Sequence, residues 1–89
     1  MNSMLDIMGV KYRVRRIIHE VRDFPPLTIS KVVIDELRRE DNTILVRGTY
    51  SCESIIGNVI ERGMYEVLFN RNLELLKVNV KPVKVLRST

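Results

Sequence analysis

Apolar and polar residues follow two different periods along this chain. Between residues 10 and 22 the aliphatic side chains recur mostly at steps of three and four, with basic residues on the other side. This spacing is typical of an amphipathic helix. Its apolar stripe consists of Val10, Val14, Ile17, Ile18 and Val21. A Ser-x-x-Asp capping box at residues 3–6 and the proline at position 25 predict that the helix runs from about Leu5 to about Asp23.

The segment from residue 29 to residue 41 fits either a second helix or a strand. Its aliphatic residues would suit one face of a helix: Ile29, Val32, Val33 and Leu37. However, the segment is rich in β-branched residues and ends in the turn-forming sequence Arg-Glu-Asp-Asn, so we favour a β-hairpin. In the second strand of this hairpin, alternation places Ile44, Val46, Tyr50 and Cys52 on one face. Cys52 is therefore expected to point inward.

A second hairpin is predicted after an irregular middle segment. The runs MYEVLF and LELLKVNV flank residues 70–72, whose asparagines tolerate the left-handed conformation of a short turn. Tyr65, Val67 and Phe69 would line one face of its first strand. The alternation changes phase at Pro82, where the last strand should end or kink. The layout is a single α+β domain over residues 1–89, with one N-terminal amphipathic helix packed on a four-stranded antiparallel β-meander.

Composition narrows the class of protein. The 89 residues are 45% hydrophobic and 29% charged, which is typical of one ordered globular domain. With a single cysteine, no signal-peptide pattern and no apolar run near the roughly 20 residues that span a bilayer, we expect a soluble, cytoplasmic protein without a disulfide. The absence of glutamine, with abundant charged and β-branched residues, also fits a protein from a thermophile.

The polar residues do not assemble a recognisable catalytic motif. Cys52 and His19 could form a nucleophile and its base, but a lone cysteine needs no role beyond packing and His19 lies on the charged side of its helix. One histidine and one cysteine make no zinc site, and the four glycines are too far apart for a phosphate loop. We therefore expect no enzyme activity, no catalytic or metal site and no cofactor.

Basic residues form two stripes that could contact phosphates. Lys11, Arg15 and Arg22 follow one ridge of the helix, and Lys77 and Lys81 lie on the last strand. The net charge of +4 is modest and aromatic residues for base stacking are few. A basic nucleic-acid-binding adaptor is therefore the alternative function rather than the first one.

The order of helix, hairpin, irregular segment and second hairpin resembles that of cystatin-like domains. The strand containing Tyr65-Glu66-Val67, with its turn at Asn70 to Asn72, is similar to small gas-vesicle accessory proteins of the O type. The resemblance covers about residues 10–81. It implies a helix packed on a β-meander, and it implies no particular activity, because cystatin-like folds serve as enzymes, inhibitors and dimeric scaffolds.

The chain carries more aliphatic surface than one helix can cover. We expect Val33, Leu37 and Leu45 on the second face of the sheet. Four further aliphatics lie in the middle segment: Ile55, Ile56, Val59 and Ile60. This excess favours a non-enzymatic intracellular interaction module of unknown pathway that self-associates through its sheet. In this interpretation these residues form a homodimer interface with Lys77 and Lys81 near its rim. The competing interpretations are that residues 55–60 fold back over their own sheet, or that a small molecule binds between helix and sheet.

Overall fold

The structure, a computed structural model, describes residues 7–85 as one helix and four strands. The predicted α+β fold is confirmed: the helix packs on one face of an antiparallel sheet with strand order β1-β2-β3-β4. The elements are α1 (Ile7–Arg22), β1 (Thr28–Glu40), β2 (Thr43–Ser54), β3 (Val59–Asn70) and β4 (Leu75–Val85). The capping box at residues 3–6 and the predicted helix start at Leu5 lie outside the described residues.

Most of the predicted apolar stripe holds α1 to the sheet. Val10, Val14 and Ile18 are completely buried, and Ile17 packs against the core at its margin. Val21 differs from the prediction: half of its surface is exposed, because it lies at the edge of the contact between α1 and the sheet. The helix ends at Arg22, and the next residue adopts a left-handed conformation.

The first hairpin is confirmed, and residues 29–40 form a strand rather than a helix, with Asp41 in the turn that follows. The turn at Asp41 is left-handed, as expected for a short connection between β1 and β2. β1 contains a β-bulge between Ile34 and Glu36. The prediction that Leu37 lies on the second face of the sheet is wrong, because the bulge reverses the alternation beyond Ile34. Leu37 lies on the helix side of the sheet and is half-buried against the core.

The second hairpin is also present, but its first strand starts earlier than predicted. β3 begins at Val59 rather than near residue 64, because the pairing with β2 continues to the tip of the hairpin. At the other end, the backbone N–H groups of Asn72 and Glu74 donate hydrogen bonds to the Asn70 side chain (2.8 and 3.0 Å). β4 passes through Pro82 with a register shift, so the strand kinks there and continues to Val85.

Two glycine–tyrosine pairs determine how closely β1, β2 and β3 approach. Gly48 lies opposite Tyr65, and Tyr50 lies opposite Gly63 on the adjacent strand. A Cβ atom on Gly48 would collide with the carbonyl oxygen of Val33, and one on Gly63 would lie 2.6 Å from the Tyr50 ring. The Tyr65 hydroxyl instead passes over Gly48 and donates a hydrogen bond to the Val33 carbonyl (2.9 Å). Both positions therefore require glycine for packing.

The helix covers only one side of the sheet, which we call the inner face; the opposite side is the outer face. The core lies between α1 and the inner face, and the fully or nearly fully buried hydrophobic residues are Val10, Val14, Ile18, Phe24, Val32, Ile44, Val46, Tyr50, Cys52, Tyr65, Val67 and Phe69. Within residues 7–85 no element covers the outer face. In the same region, no helix meets the length and apolarity that a bilayer-spanning segment needs.

Candidate functional site

The outer face is a sheet surface that no described element covers. Strand pairing arranges its side chains in rows that take one residue from each strand. From one end of the sheet to the other, the rows are Arg38, Leu45, Leu68 and Lys77; Glu36, Arg47, Glu66 and Asn79; Val33, Thr49, Met64 and Lys81; and Lys31, Ser51, Arg62 and Lys84. The face therefore combines an apolar patch around Val33 and Met64 with a neighbouring charged row formed by Glu36, Arg47 and Glu66.

A shallow groove of about 450 Å³ lies over this apolar patch. It forms because Thr49 and Ser51 have short side chains, whereas the strands on either side carry longer ones. Val33, Met64 and Val83 line it and are 55%, 48% and 67% exposed. The register shift between Arg62 and Gly63 leaves Val83 as the unpaired extra residue of β4, and its side chain lines this groove.

Charged residues on β1, β2 and β3 form a network across the outer face. Arg47 lies 2.6 Å from Glu66 and 3.3 Å from Glu36, and Arg38 lies 2.6 Å from Glu36. The hydrogen bond from Arg38, assisted by its charge and by Arg47, holds the pKa of Glu36 below its usual value. The carboxylates on this half of the face are thus paired with guanidinium groups.

The β4 side of the outer face is basic. Arg62, Lys77, Lys81 and Lys84 have no carboxylate within 4.0 Å among the residues that the structure describes. Lys77, Lys81 and Lys84 are exposed along one strand. Two of the predicted anion-contact residues, Lys77 and Lys81, therefore lie together on this surface.

The predicted interface segment forms the tip of the β2–β3 hairpin. Ile55 and Ile56 are 62% and 80% exposed at the turn, whereas Val59 and Ile60 are half-buried at the start of β3. Ile60 packs against the chain's own core. The tip does not fold over the sheet; it extends from the end of the outer face where β1 begins, beside Leu27, whose carbonyl accepts a hydrogen bond from the Ile55 N–H.

The predicted basic ridge of the helix separates into two parts. Lys11 and Arg15 are exposed, and the Arg15 guanidinium lies 5.6 Å from the centre of the Tyr12 ring. Arg22 is instead bound to Glu61, through hydrogen bonds of 2.6 and 3.1 Å to the two carboxylate oxygens. Because α1 covers the inner face, the Lys11 ridge lies on the opposite side of the sheet from Lys77 and Lys81.

Glu61 is the residue of this region that sequence reasoning missed. Its side chain is completely buried on the inner face and also accepts a hydrogen bond from the Tyr50 hydroxyl (2.7 Å). Burial, and then this hydrogen bond, raise the pKa of Tyr50 above its ordinary value. The hydrogen bond to Glu61 likewise raises the pKa of Arg22. The cluster joins the end of α1 to β2 and β3, and it is charged and hydrogen-bonded rather than apolar.

His19 and Cys52, the candidate base and nucleophile, both lie beside β1 but make different contacts. The His19 ring is 3.0 Å from the Ser30 hydroxyl and meets Phe24 edge to face. Cys52 is completely buried, which confirms its predicted inward orientation, and pairs with Ser30 across the strands. Among residues 7–85, no three histidine, cysteine or acidic side chains converge as they would around a metal ion.

Comparisons with family models, curated proteins and solved structures found no match to this chain.

Proposed function

We propose that this protein is a non-enzymatic interaction module that self-associates through the outer face of its sheet. The observation that supports it is the apolar groove at the centre of that face, where Val33, Met64 and Val83 remain about half exposed. Large apolar patches on a protein surface commonly mark contact sites. A two-fold dimer would bury the same patch on both copies.

The energy available from this patch is modest. Full burial of an aliphatic side chain is worth roughly 1.5 to 3 kcal/mol, so a half-exposed one gains about 1 kcal/mol. Three such residues on each of two copies supply about 6 kcal/mol, against a cost of association of about 4 to 15 kcal/mol. Burial of the exposed Ile55 and Ile56 at the hairpin tip, at about 1.5 kcal/mol each on both copies, brings the gain to about 12 kcal/mol and is needed for a dimer at submillimolar concentration. A weak, concentration-dependent dimer is the expected state.

Two ways of stacking the two faces are possible. A two-fold axis parallel to the strands places β4 of one copy over β1 of the other and each row over itself, so Lys81 faces the apolar Val33 and Lys77 faces Arg38. An axis perpendicular to the strands stacks β4 on β4 and opposes lysines with lysines. Like charges near the margin weaken the contact in both arrangements.

Self-association through the outer face can be tested by comparing two apolar-to-lysine variants with light scattering coupled to size-exclusion chromatography. Met64→Lys changes the centre of the outer face, and Val21→Lys makes the same kind of change at an equally exposed position on α1. We expect Met64→Lys to abolish the dimer and Val21→Lys to retain it. Equal effects of both variants, or a wild-type monomer at every concentration, would contradict self-association through the outer face.

Binding of nucleic acid is the second candidate, supported by the basic β4 side of the outer face. Arg62, Lys77, Lys81 and Lys84 could contact phosphates electrostatically. The outer face of the described sheet carries no aromatic side chain for base stacking, so the binding would be independent of sequence.

A gel-mobility series with mixed DNA and RNA at low and high salt tests this candidate. Lys81→Glu should weaken binding and flatten its salt dependence, because each lost phosphate contact reduces the slope of log K against log salt by about 0.9. Lys11→Glu, the matched change on the helix side, should not. The absence of any shift at low salt would exclude this candidate, and a larger effect of Lys11→Glu would move the site to the helix.

The resemblance to cystatin-like domains concerns the fold and implies no particular activity, but it is compatible with self-association. We propose a relationship to that group, because a helix followed by a β-meander is their element order and because some of them are dimeric scaffolds. Oligomer formation through the sheet would agree with this relationship.

A further inference from the structure

The two edges of the sheet differ in how well they are protected against pairing with another strand. β4 contains Pro82, two register shifts and several lysines, and these are features that block an added strand. β1 pairs without interruption from Thr28 to Ile34 and contains no proline there. Because β1 is the other edge strand, alternate backbone N–H and C=O groups of this segment face outward. The start of β1 is therefore the edge that is open to an additional strand.

A groove runs beside this open edge, between β1 and α1. One part, of about 610 Å³, is lined by Met8, Lys11, Tyr12 and Arg15 from the helix, and a second part continues it towards His19. From Met8 to His19 the helix rises about 17 Å. The segment of β1 that forms the opposite wall, Thr28 to Val33, has the same length of about 17 Å. The groove therefore fits about six residues of an extended chain.

The charge of the groove indicates what kind of chain would fit. Among the described residues, Lys11, Arg15 and Arg16 have no carboxylate within 4.0 Å. Lys11 and Arg15 are four positions apart on the helix, so their Cβ atoms lie about 5–6 Å apart. Residues two positions apart in a strand point to the same side and are separated by about 6.6 Å. Two carboxylates at alternate positions of an added strand would therefore match the two cations.

We propose that β1 and α1 together bind an extended acidic peptide segment by strand addition at the β1 edge. The backbone of the segment pairs with residues 28–34. Its carboxylates face Lys11 and Arg15, and the alternate side chains are aliphatic and contact Ile29 and Val33, which are about half exposed. A second copy of this chain is a poorer occupant, because pairing β1 with β1 would bring two basic grooves side by side. Lys11, Arg15 and the β1 edge lie outside the outer-face contact, whereas Lys31 and Val33 line both surfaces, so the peptide site is tested separately from the dimer.

The test uses a capped six-residue peptide that alternates glutamate and valine, titrated to about 2 mM into the ¹⁵N-labelled protein and followed by amide chemical shifts. We expect saturable shifts in residues 28–34 and along the groove side of α1. The same peptide N-methylated at every amide should not bind, because it has no N–H groups to pair with β1. A peptide with lysine in place of glutamate should bind at least fivefold more weakly.

Protein variants separate the groove from general charge effects. Arg15→Glu should weaken binding of the peptide by about fivefold or more, since it replaces an attraction with a repulsion. Arg13→Glu is the matched control: it lies on the same helix but lines a different groove, and should change binding by less than about twofold. The proposal is wrong if no shifts occur, if the N-methylated peptide binds equally well, or if the two variants have equal effects. It is also wrong if, in the Met64→Lys variant that removes the outer-face contact, the amides of residues 28–34 still shift on concentrating the protein alone, because a second copy would then occupy the edge.

Discussion

Replacing Arg22 by alanine should be one of the most destabilising single changes on the helix surface. Arg22 makes two hydrogen bonds to the two oxygens of Glu61, at 2.6 and 3.1 Å, and the Glu61 side chain is completely buried. The alanine variant keeps the buried carboxylate but removes this guanidinium group. The penalty comes from a charge that has lost a partner in a poorly solvated site, rather than from lost contact area.

Breaking a buried ion pair by removing one partner costs about 3 to 5 kcal/mol. Arg22 retains 28% of its side-chain exposure, so water screens part of the interaction and the lower end applies, about 3 kcal/mol. That is a large fraction of the roughly 5 to 15 kcal/mol that stabilises a domain. With a typical urea dependence, the unfolding midpoint should fall on the order of 2 M.

Urea unfolding followed by circular dichroism measures this loss. Arg16→Ala is the matched control, because Arg16 is exposed on the same helix and has no carboxylate within 4.0 Å among the described residues. A double variant, Arg22→Met with Glu61→Leu, should lose less stability than Arg22→Ala, because it leaves no buried charge. If Arg22→Ala and Arg16→Ala agree within about 0.5 kcal/mol, the buried pair does not hold α1 to the sheet.

Three further outcomes follow from the core. Burial raises the pKa of Tyr50 and Tyr65, so above about pH 10 the folded state keeps phenol protons that the unfolded state loses. These two tyrosines should therefore leave the free energy of unfolding unchanged below about pH 10. Above that pH, each tyrosine should lower it by up to about 1.4 kcal/mol per pH unit. Tyr65→Phe should remove its share of this slope, and an unchanged slope would contradict its raised pKa. Gly48→Ala should cost about 1 to 3 kcal/mol in urea unfolding, while Ser51→Ala on the outer face should be nearly neutral; similar costs would show that the strands do not need glycine. Cys52 should react with a bulky thiol reagent only after denaturant is added, and prompt labelling of the native protein would place it at the surface.

The elements that sequence reasoning predicted correctly are those with a local periodic signal. The aliphatic spacing from Val10 to Ile18 identifies the buried stripe of α1, and the alternation around Cys52 gives the inner face of β2. The phase change at Pro82 predicts that the last strand ends or kinks there, and the register shift in β4, which continues to Val85, shows that it kinks. In each case a few neighbouring residues carry all of the information.

The features that were missed depend on strand register or on distant residues. The predicted face of Leu37 was wrong because a one-residue bulge reverses the alternation of β1, and such a bulge leaves no clear signal in the sequence. Glu61 has the same parity as Gly63, Tyr65 and Val67, so its inward direction would have followed if β3 had been started at its true first residue. Its partner Arg22 is 39 residues away, and only the folded chain brings the two together.

A repeated Gly-x-Tyr triplet is a further sequence signal, and it concerns the groove of the outer face. Gly48-Thr49-Tyr50 and Gly63-Met64-Tyr65 share the pattern Gly-x-Tyr, and antiparallel pairing places each glycine opposite a tyrosine. The central residues, Thr49 and Met64, then face each other on the outer face and line its groove. The pattern could have identified the pairing of these strands and the centre of the outer face, but it does not reveal what binds there.

The most direct test of self-association through the outer face is a dilution series monitored by the methyl signals of ¹³C-labelled methionines. Met64 lies at the centre of the outer face, and Met8 is exposed on the helix side, so one sample contains both a reporter and a control. On dilution from about 1 mM to about 10 μM, a weak dimer dissociates, and the Met64 signal should shift while the Met8 signal stays constant. A Met64 signal that does not change over this range, or a change confined to Met8, would contradict self-association through the outer face.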